Sequence, residues 1–198
     1  TVVADPGISV TGGGVSVCNG ATATLGSVIT GGTGTPSYQW QSSINNSTWT
    51  NITGATAANY TTPAMTAARY YRVALTMSGV GCGAVNSTGA QVTVNPIPAI
   101  AIQGETTICF GGSTTLTAVG SNGTPAYSFS WNSGLGSGDT KTLAPSVNTA
   151  YQITVTDGGG CTSSSIVNVT VEDCCTPPPV DAICTPPATF NVNVVATG

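Results

Sequence analysis

The residues of this chain best suited to chemistry are its seven cysteines and seven acids, because the sequence contains no histidine. That absence removes the commonest general base and the commonest metal ligand. Among the acids, only Glu172 and Asp173 are adjacent in sequence, and neighbours on a strand point to opposite faces. No G-x-S-x-G, Walker or Rossmann motif is present. We therefore expect a protein that is not an enzyme and that holds no cofactor and no metal.

The charge pattern argues against further classes of partner. Charged residues make up 5% of the 198 residues, and the net charge is −4; an average soluble domain has about 25% charged residues. Arg69, Arg72 and Lys141 are the only basic residues, so we expect neither nucleic acid nor an anionic membrane surface as a partner. No apolar run approaches the length of about 20 residues that a membrane span needs, so no membrane insertion is expected.

Four sequence blocks occur twice, in the same order. VCNGATATL around Cys18 returns as ICFGGSTTL around Cys109, and GTPSYQWQ at Trp40 returns as GTPAYSFSW at Trp131. YYRVALTMSGVGC returns as YQITVTDGGGC, and GAQVTVNP corresponds to SIVNVTVED. This repetition indicates a domain duplication. The copies differ mainly between their Trp and Tyr blocks, where SSINNSTWTNITGAT in the first copy predicts an extra hairpin that adds one or two strands.

Each block is a short alternating run bounded by Gly, Pro, Asn or Ser, which is typical of the strands of a β-sandwich. We predict an all-β chain with two tandem Ig-like β-sandwich domains, over residues 1–96, which include the extra hairpin, and 97–173. Residues 174–188 would form a Cys/Pro-rich linker, and residues 189–198 a terminal β-strand. The predicted core residues are Leu25, Trp40, Tyr71, Val73 and Leu75 in the first copy and Leu116, Trp131, Tyr151, Ile153 and Val155 in the second.

The first copy has a recognisable pattern, YQWQSS…STWTNITGAT…YTTPAMTAARYYRV…C. It resembles the Ig-like repeats of large secreted and cell-surface proteins of Bacteroidetes-type bacteria. The second copy, TICFGGSTTLTAVG…YSFSW…YQITVTDGGGC, resembles the same family or its PKD-like relatives. The resemblance implies export across the inner membrane and no catalytic residues. Such modules serve as spacers, adhesive stalks and assembly units, so the fold alone does not decide among these functions.

Disulfide formation is the chemistry expected of the cysteines, since a metal site would need C-x-x-C pairs and histidine. Each copy has one cysteine before its second strand and one in the turn after its Tyr strand. This arrangement predicts the pairs Cys18–Cys82 and Cys109–Cys161. Disulfides imply an oxidising compartment, so we expect an extracellular protein or one at the cell surface.

Three cysteines remain in the tail, in the segment DCCTPPPVDAIC. Adjacent cysteines rarely pair with each other, so one of Cys174 and Cys175 is expected to bond Cys184 and to close a small Pro-rich loop. The other is either free or bonded to another molecule.

Seven N-x-S/T sequons make covalently attached glycans a second candidate modification. They are interpreted either as ordinary polar surface or as glycosylation that helps to keep a weakly charged protein soluble. The sequons lie at Asn45, Asn46, Asn51, Asn59, Asn86, Asn122 and Asn168. Trp49, in the predicted hairpin, is expected to pack on its own sheet, and stacking against a sugar is the alternative.

The chain ends in PPATFNVNVVATG, an alternating run with no further residues to build a domain around it. Its apolar positions are Phe190, Val192, Val194 and Ala196, which fall on one face of a strand. Three explanations are open. The chain could be a piece of a longer tandem-repeat protein, the strand could fold back on the second domain, or it could be donated to a neighbouring molecule.

Donation of this strand is the explanation that predicts a function. Each chain would complete the next, which builds a head-to-tail homopolymer unless the geometry closes a ring. We expect the interface to include residues 189–197, together with Val2 and Val3, whose sequence resembles the last strand of a preceding domain. We therefore expect a self-assembling structural subunit of an extracellular bacterial filament or fimbria-like fibre. The alternatives are a stalk or adhesin fragment that binds glycan or protein, and a non-catalytic accessory module of a secreted polysaccharide-degrading enzyme.

Overall fold

The computed structural model describes residues 4–78 and 84–174, which form seventeen β-strands and, within those ranges, no helix. The first copy contains β1 Gly7–Thr11, β2 Val15–Cys18, β3 Thr24–Thr30, β4 Pro36–Ser43, β5 Thr50–Asn51, β6 Tyr60–Thr61, β7 Arg69–Met77, β8 Val85–Asn86 and β9 Ala90–Asn95. The second contains β10 Ala99–Gln103, β11 Thr107–Cys109, β12 Thr114–Ser121, β13 Ser128–Trp131, β14 Gly136–Ser137, β15 Thr140–Leu143, β16 Thr149–Thr156 and β17 Thr162–Glu172.

The two copies have the same sheet topology. In the first, β1-β3-β6 form one sheet and β2-β9-β7-β4-β5 the other, with β8 paired to β7. The second repeats this order as β10-β12-β15 and β11-β17-β16-β13-β14. In both, the second strand joins the larger sheet and pairs parallel with the last strand of the copy. Two such sheets around one core form an Ig-like β-sandwich, so the predicted fold class is confirmed.

The hairpin predicted in the first copy exists, but it adds no strand. β4 and β5 form it, and β13 and β14 form its counterpart in the second copy. The additional residues of the first copy lengthen β4, which spans eight residues where β13 spans four, and the connection between β5 and β6. The expectation of one or two extra strands was wrong because the two-residue strand β14 is too short to show alternation in the sequence.

Each sandwich has its own apolar core, and the residues predicted from alternation are in it. The core residues Leu25, Trp40, Tyr71, Val73 and Leu75 are buried in the first copy, and Leu116, Trp131, Tyr151, Ile153 and Val155 in the second. The two tryptophans occupy equivalent places: the indole N–H of Trp40 donates to the Ala57 carbonyl and that of Trp131 to the Gly138 carbonyl. Because each indole N–H has an acceptor, these large side chains can be buried without an unpaired donor.

Candidate functional site

The junction between the two sandwiches is the first candidate site, because a disulfide crosses it. Cys18 ends β2 and Cys161 precedes β17; their Cα atoms lie 5.6 Å apart, and 143 positions separate them in sequence. Cys161 is fully buried. The bond therefore connects the first copy to the second covalently, beside the short segment from Asn95 to Ala99 that links β9 to β10.

The turn that carries Cys161 is organised around the carboxylate of Asp157. This side chain is 5% exposed and accepts hydrogen bonds from the backbone N–H groups of Thr124 at 2.8 Å, Gly159 at 3.0 Å and Cys161 at 2.8 Å. The bonds from Thr124, Cys161 and Gly159 hold the pKa of this carboxyl below its ordinary value, against the opposing effect of burial. Asp157 thus positions the cysteine that crosses the junction.

The linker packs directly against this turn. Pro98 is buried, and its carbonyl accepts a hydrogen bond from the Ser163 hydroxyl on β17. A Cβ atom on Gly159 would lie 2.6 Å from the side-chain nitrogen of Asn95. The turn and the linker therefore approach closely at Gly159, and a side chain at this position would require the Asn95 side chain to move.

Replacing Asp157 with Asn is predicted to weaken the folded state at neutral pH. Because the folded pKa is depressed, the ionised carboxylate stabilises the folded state above the unfolded value of about 3.9, and this stabilisation is lost as the pH falls through the lower folded pKa. We expect Asp157→Asn to lower Tm at neutral pH and to reduce the loss of Tm on acidification below pH of about 4. Thermal melts across this range check both effects. The exposed Asp139→Asn is the control, and identical acid profiles for wild type and Asp157→Asn would contradict the prediction.

The observed cysteine pairing corrects the predicted one. Cys18 bonds Cys161, and Cys109 bonds Cys174, with a Cα–Cα distance of 5.2 Å. The predicted pair Cys109–Cys161 is geometrically excluded, since Cys109 lies beside Glu172 at one end of β17 and Cys161 precedes the other end. Eleven residues of strand place these ends about 35 Å apart. The predicted pair Cys18–Cys82 is wrong because Cys18 is already bonded.

The rest of the cysteine prediction concerns the tail. Cys174 does not bond Cys184, because it is bonded to Cys109. Cys82, Cys175 and Cys184 lie outside the described residues. Two disulfides are nevertheless typical of proteins from oxidising compartments.

A groove beside the start of β7 in the first sandwich is the second candidate site. A cavity of 390 Å³ lies between the sheets there and a neighbouring cavity of 480 Å³ beside the β4–β5 turn, and both are lined by Ser42 and Arg69. We call these two cavities together the Arg69 groove. The first is also lined by Asn51, Tyr60, Met65 and Tyr71, and the second by Ile44, Asn45, Thr48 and Thr50.

The register of the strands brings these residues together. Ser42 on β4 lies opposite Thr50 on β5 and, on its other side, opposite Tyr71 on β7. Tyr71 follows Arg69 by two positions on the same strand. Tyr60 comes from β6 in the facing sheet, and its ring lies 5.8 Å from those of Trp40 and Tyr71. Burial raises the pKa of Tyr60 and of Tyr71, and the nearby positive charge of Arg69 opposes both shifts. Arg69 thus places a positive charge beside a partly aromatic wall.

Trp49 lies outside this groove, in contact with its own sheet. The Arg72 guanidinium lies 4.5 Å from the centre of the Trp49 ring, within the range of a cation–π contact. Arg72 also donates to the side chain of Gln41, which donates to that of Asn51. One face of Trp49 is therefore covered by Arg72, which is the packing on its own sheet that we expected.

The remaining predicted site residues are placed as follows. All seven sequon asparagines, at positions 45, 46, 51, 59, 86, 122 and 168, are exposed on the described surface. Their glycosylation stays a prediction. The proposed assembly residues Val2, Val3, Phe190, Val192, Val194 and Ala196 lie outside the described residues. Within 4–78 and 84–174, no helix is long and apolar enough to cross a membrane, and no cluster of Cys, Asp and Glu is arranged to hold a metal ion.

Sequence reasoning missed Arg69 and Asp157. A signal for the first was present: residues 6–104 contain Arg69 and Arg72 but no acid, so this half carries two positive charges in a chain with net charge −4. For Asp157 the only signal was its position in the turn before Cys161. Of its three hydrogen-bond donors, Gly159 and Cys161 lie in the same turn, and Thr124 comes from another loop.

The fold and its disulfides define an Ig-like module of the extracellular type. Residues 8–96 match the sequence profile of a domain of unknown function, DUF8696. No curated protein matches the sequence.

Among solved structures, the chain is similar to the fibronectin(III)-like modules of Clostridium thermocellum CbhA, at 12% identity and TM-score 0.46, covering 84% of this chain and 94% of that one. It is also similar to extracellular domains 3–5 of Drosophila OTK, at 17% identity and TM-score 0.46, covering 84% and 62%. A third is the amphioxus IgVJ-C2 molecule, at 17% identity and TM-score 0.35, covering 78% and 99%.

Proposed function

We propose that this chain is a non-enzymatic structural unit of an extracellular fibre or stalk, in which two Ig-like domains act as one stiff segment. The observation that carries the proposal is the disulfide between Cys18 and Cys161 across the domain junction. Neighbouring domains in a chain usually move relative to each other unless their interface is large. Here a covalent bond, a buried linker proline and a close linker contact at Gly159 all oppose such motion.

The specific form that we propose is a head-to-tail homopolymer at the cell surface, built by donation of the terminal strand to a neighbouring chain. The alternating apolar residues of 189–197 support it, because an apolar strand left at an exposed edge invites pairing with another chain. The lengths of the edge strands in the described sheets indicate where a donated strand could be added. Every edge strand has five residues or fewer, and β1 and β10 are the longest of them, so they are the acceptors that offer an incoming strand most backbone groups.

Electron microscopy of the full chain, with and without residues 186–198, tests this form. We expect regular fibres from the full chain and separate two-domain particles from the truncated one. A second pair of variants compares the same added charge on the two faces of the predicted strand. Val192→Asp with Val194→Asp should abolish fibres, whereas Asn191→Asp with Asn193→Asp adds the same charge to the other face and should reduce them less. Fibres that persist without residues 186–198 would overturn strand donation, and particles alone at every concentration would overturn the filament.

A further inference from the structure

The Arg69 groove has the features of a ligand site and is independent of the fibre proposal. Its two cavities, of 390 and 480 Å³, are each within the range of about 300–1,000 Å³ that is usual for ligand pockets. Among the residues that the structure describes, Arg69 is the only charged one that lines either cavity. It is exposed at the start of β7, so its guanidinium can meet a ligand from solvent.

The walls of the groove are held in place by backbone contacts. The segment around Met65 is fixed by hydrogen bonds from the Gly20 N–H to the Met65 carbonyl, at 2.8 Å, and from the Met65 N–H to the Ala21 carbonyl, at 2.9 Å. On the other side, the Asn45 carboxamide accepts from the N–H groups of Ser47 and Thr48 and fixes the β4–β5 turn. A groove with fixed walls loses little conformational entropy when a ligand binds.

The lining combines one cation with many neutral hydrogen-bonding groups. Hydroxyl and carboxamide side chains line the two cavities beside Arg69, contributed by Ser42, Asn45, Thr48, Thr50 and Asn51. A guanidinium presents a planar fork that matches a carboxylate. Hydroxyls and amides are both donors and acceptors, which suits a ligand that carries many hydroxyl groups. Tyr60 adds an aromatic surface with a polar tip.

These features favour an acidic sugar over an acidic peptide. An extended peptide obtains much of its affinity from the backbone of a strand edge. β5, the edge strand beside the groove, has only two residues. The groove thus offers little backbone to a peptide but many side-chain partners to a polyhydroxylated ligand. We propose that the Arg69 groove binds an oligosaccharide that contains hexuronic acid, with Arg69 holding the sugar carboxylate and the hydroxyl and amide side chains holding the ring hydroxyls.

Charge-matched variants of the full chain test the proposal. The probes are oligomers of galacturonate, mannuronate and hyaluronan, titrated by calorimetry at low salt, with methyl-esterified oligogalacturonate as the matched neutral ligand. Because a hydrogen bond to a charged group contributes about 1.5–3 kcal/mol, Arg69→Ala should weaken binding by roughly ten- to a hundredfold. Lys141→Ala removes the same charge from β15 of the second sandwich, which lines neither cavity, and should leave affinity within about threefold.

The outcomes are distinct. Binding that is lost on esterification and in Arg69→Ala but kept in Lys141→Ala supports the site, and Arg69→Lys, which keeps the charge but loses the fork, should lie between. A melting temperature of Arg69→Ala equal to that of wild type shows that the variant is folded. No binding of any of the three acidic oligomers, or equal binding by Arg69→Ala, overturns the proposal. An aspartate-rich hexapeptide that binds through Arg69 more tightly than every oligosaccharide overturns the sugar class.

Discussion

Pulled from its two ends with both disulfides intact, the domain pair is expected to lengthen very little. The Cys18–Cys161 bond keeps 143 residues out of the force path. Between Ala4 and Cys174 only the residues of 4–18 and 161–174 can extend, about 27 residues or about 95 Å of chain. Reduction should release the 143 hidden residues, about 500 Å of extended chain. Single-molecule force spectroscopy measures this difference as a change in contour length.

A double variant separates the contributions of the two bonds. The Cys109–Cys174 bond alone holds 65 residues, so Cys18→Ser with Cys161→Ser should release about 78 of the 143 residues, or about 270 Å. The background for both chains carries Cys82→Ser, Cys175→Ser and Cys184→Ser, which leaves only the two described bonds. If the oxidised background chain extends as far as the double variant, the junction disulfide does not bear force and the proposal of a stiff segment fails.

Trp40→Ala is expected to have the largest effect on stability of any single substitution in the first sandwich. Trp40 is fully buried, stacks on Tyr60 and donates to the Ala57 carbonyl. Truncation removes this packing and leaves the Ala57 carbonyl without its donor, which costs about 3–5 kcal/mol of unfolding free energy. Urea denaturation followed by circular dichroism measures the loss.

Two variants serve as controls for this prediction. Trp40→Phe keeps an aromatic ring beside Tyr60 and should lose less than Trp40→Ala. Trp49→Ala removes a partly exposed indole of the same size and should cost about 1 kcal/mol. A cost for Trp40→Ala no greater than that for Trp49→Ala would show that the first sandwich does not depend on this core residue.

The sequence was informative about the cores because the relevant signal is local. Alternation identifies the buried face of a strand without knowledge of its partners, and Val73 and Ile153 were placed correctly in this way. The repeat also placed Cys18 and Cys109 as equivalents, and both lie beside the last strand of their copy.

The disulfides and the groove could not be predicted because they depend on how distant segments meet. Pairing within each copy is the simplest interpretation of cysteine spacing, but it ignores which end of the sandwich each cysteine occupies. Cys161 lies at the end that faces the first copy, whereas Cys109 lies at the opposite end of β17. Arg69 likewise becomes part of a site only through the β4–β7 register and through Tyr60 on the facing sheet. No local pattern contains that information.

Peptide mapping of the unreduced protein tests the junction disulfide most directly. Free thiols are first alkylated, and the chain is then cleaved after Arg and Lys and before Asp. Cys18 then lies in the peptide 5–69, Cys161 in 157–172, and both Cys82 and Cys109 in 73–138. The structure predicts that mass spectrometry finds 5–69 joined to 157–172, and 73–138 joined to the peptide that begins at Asp173. If the peptides 5–69 and 157–172 were each joined to 73–138 instead, the disulfides would lie within each copy. No disulfide would then connect the two domains, and this result would contradict the proposal that they act as one stiff segment.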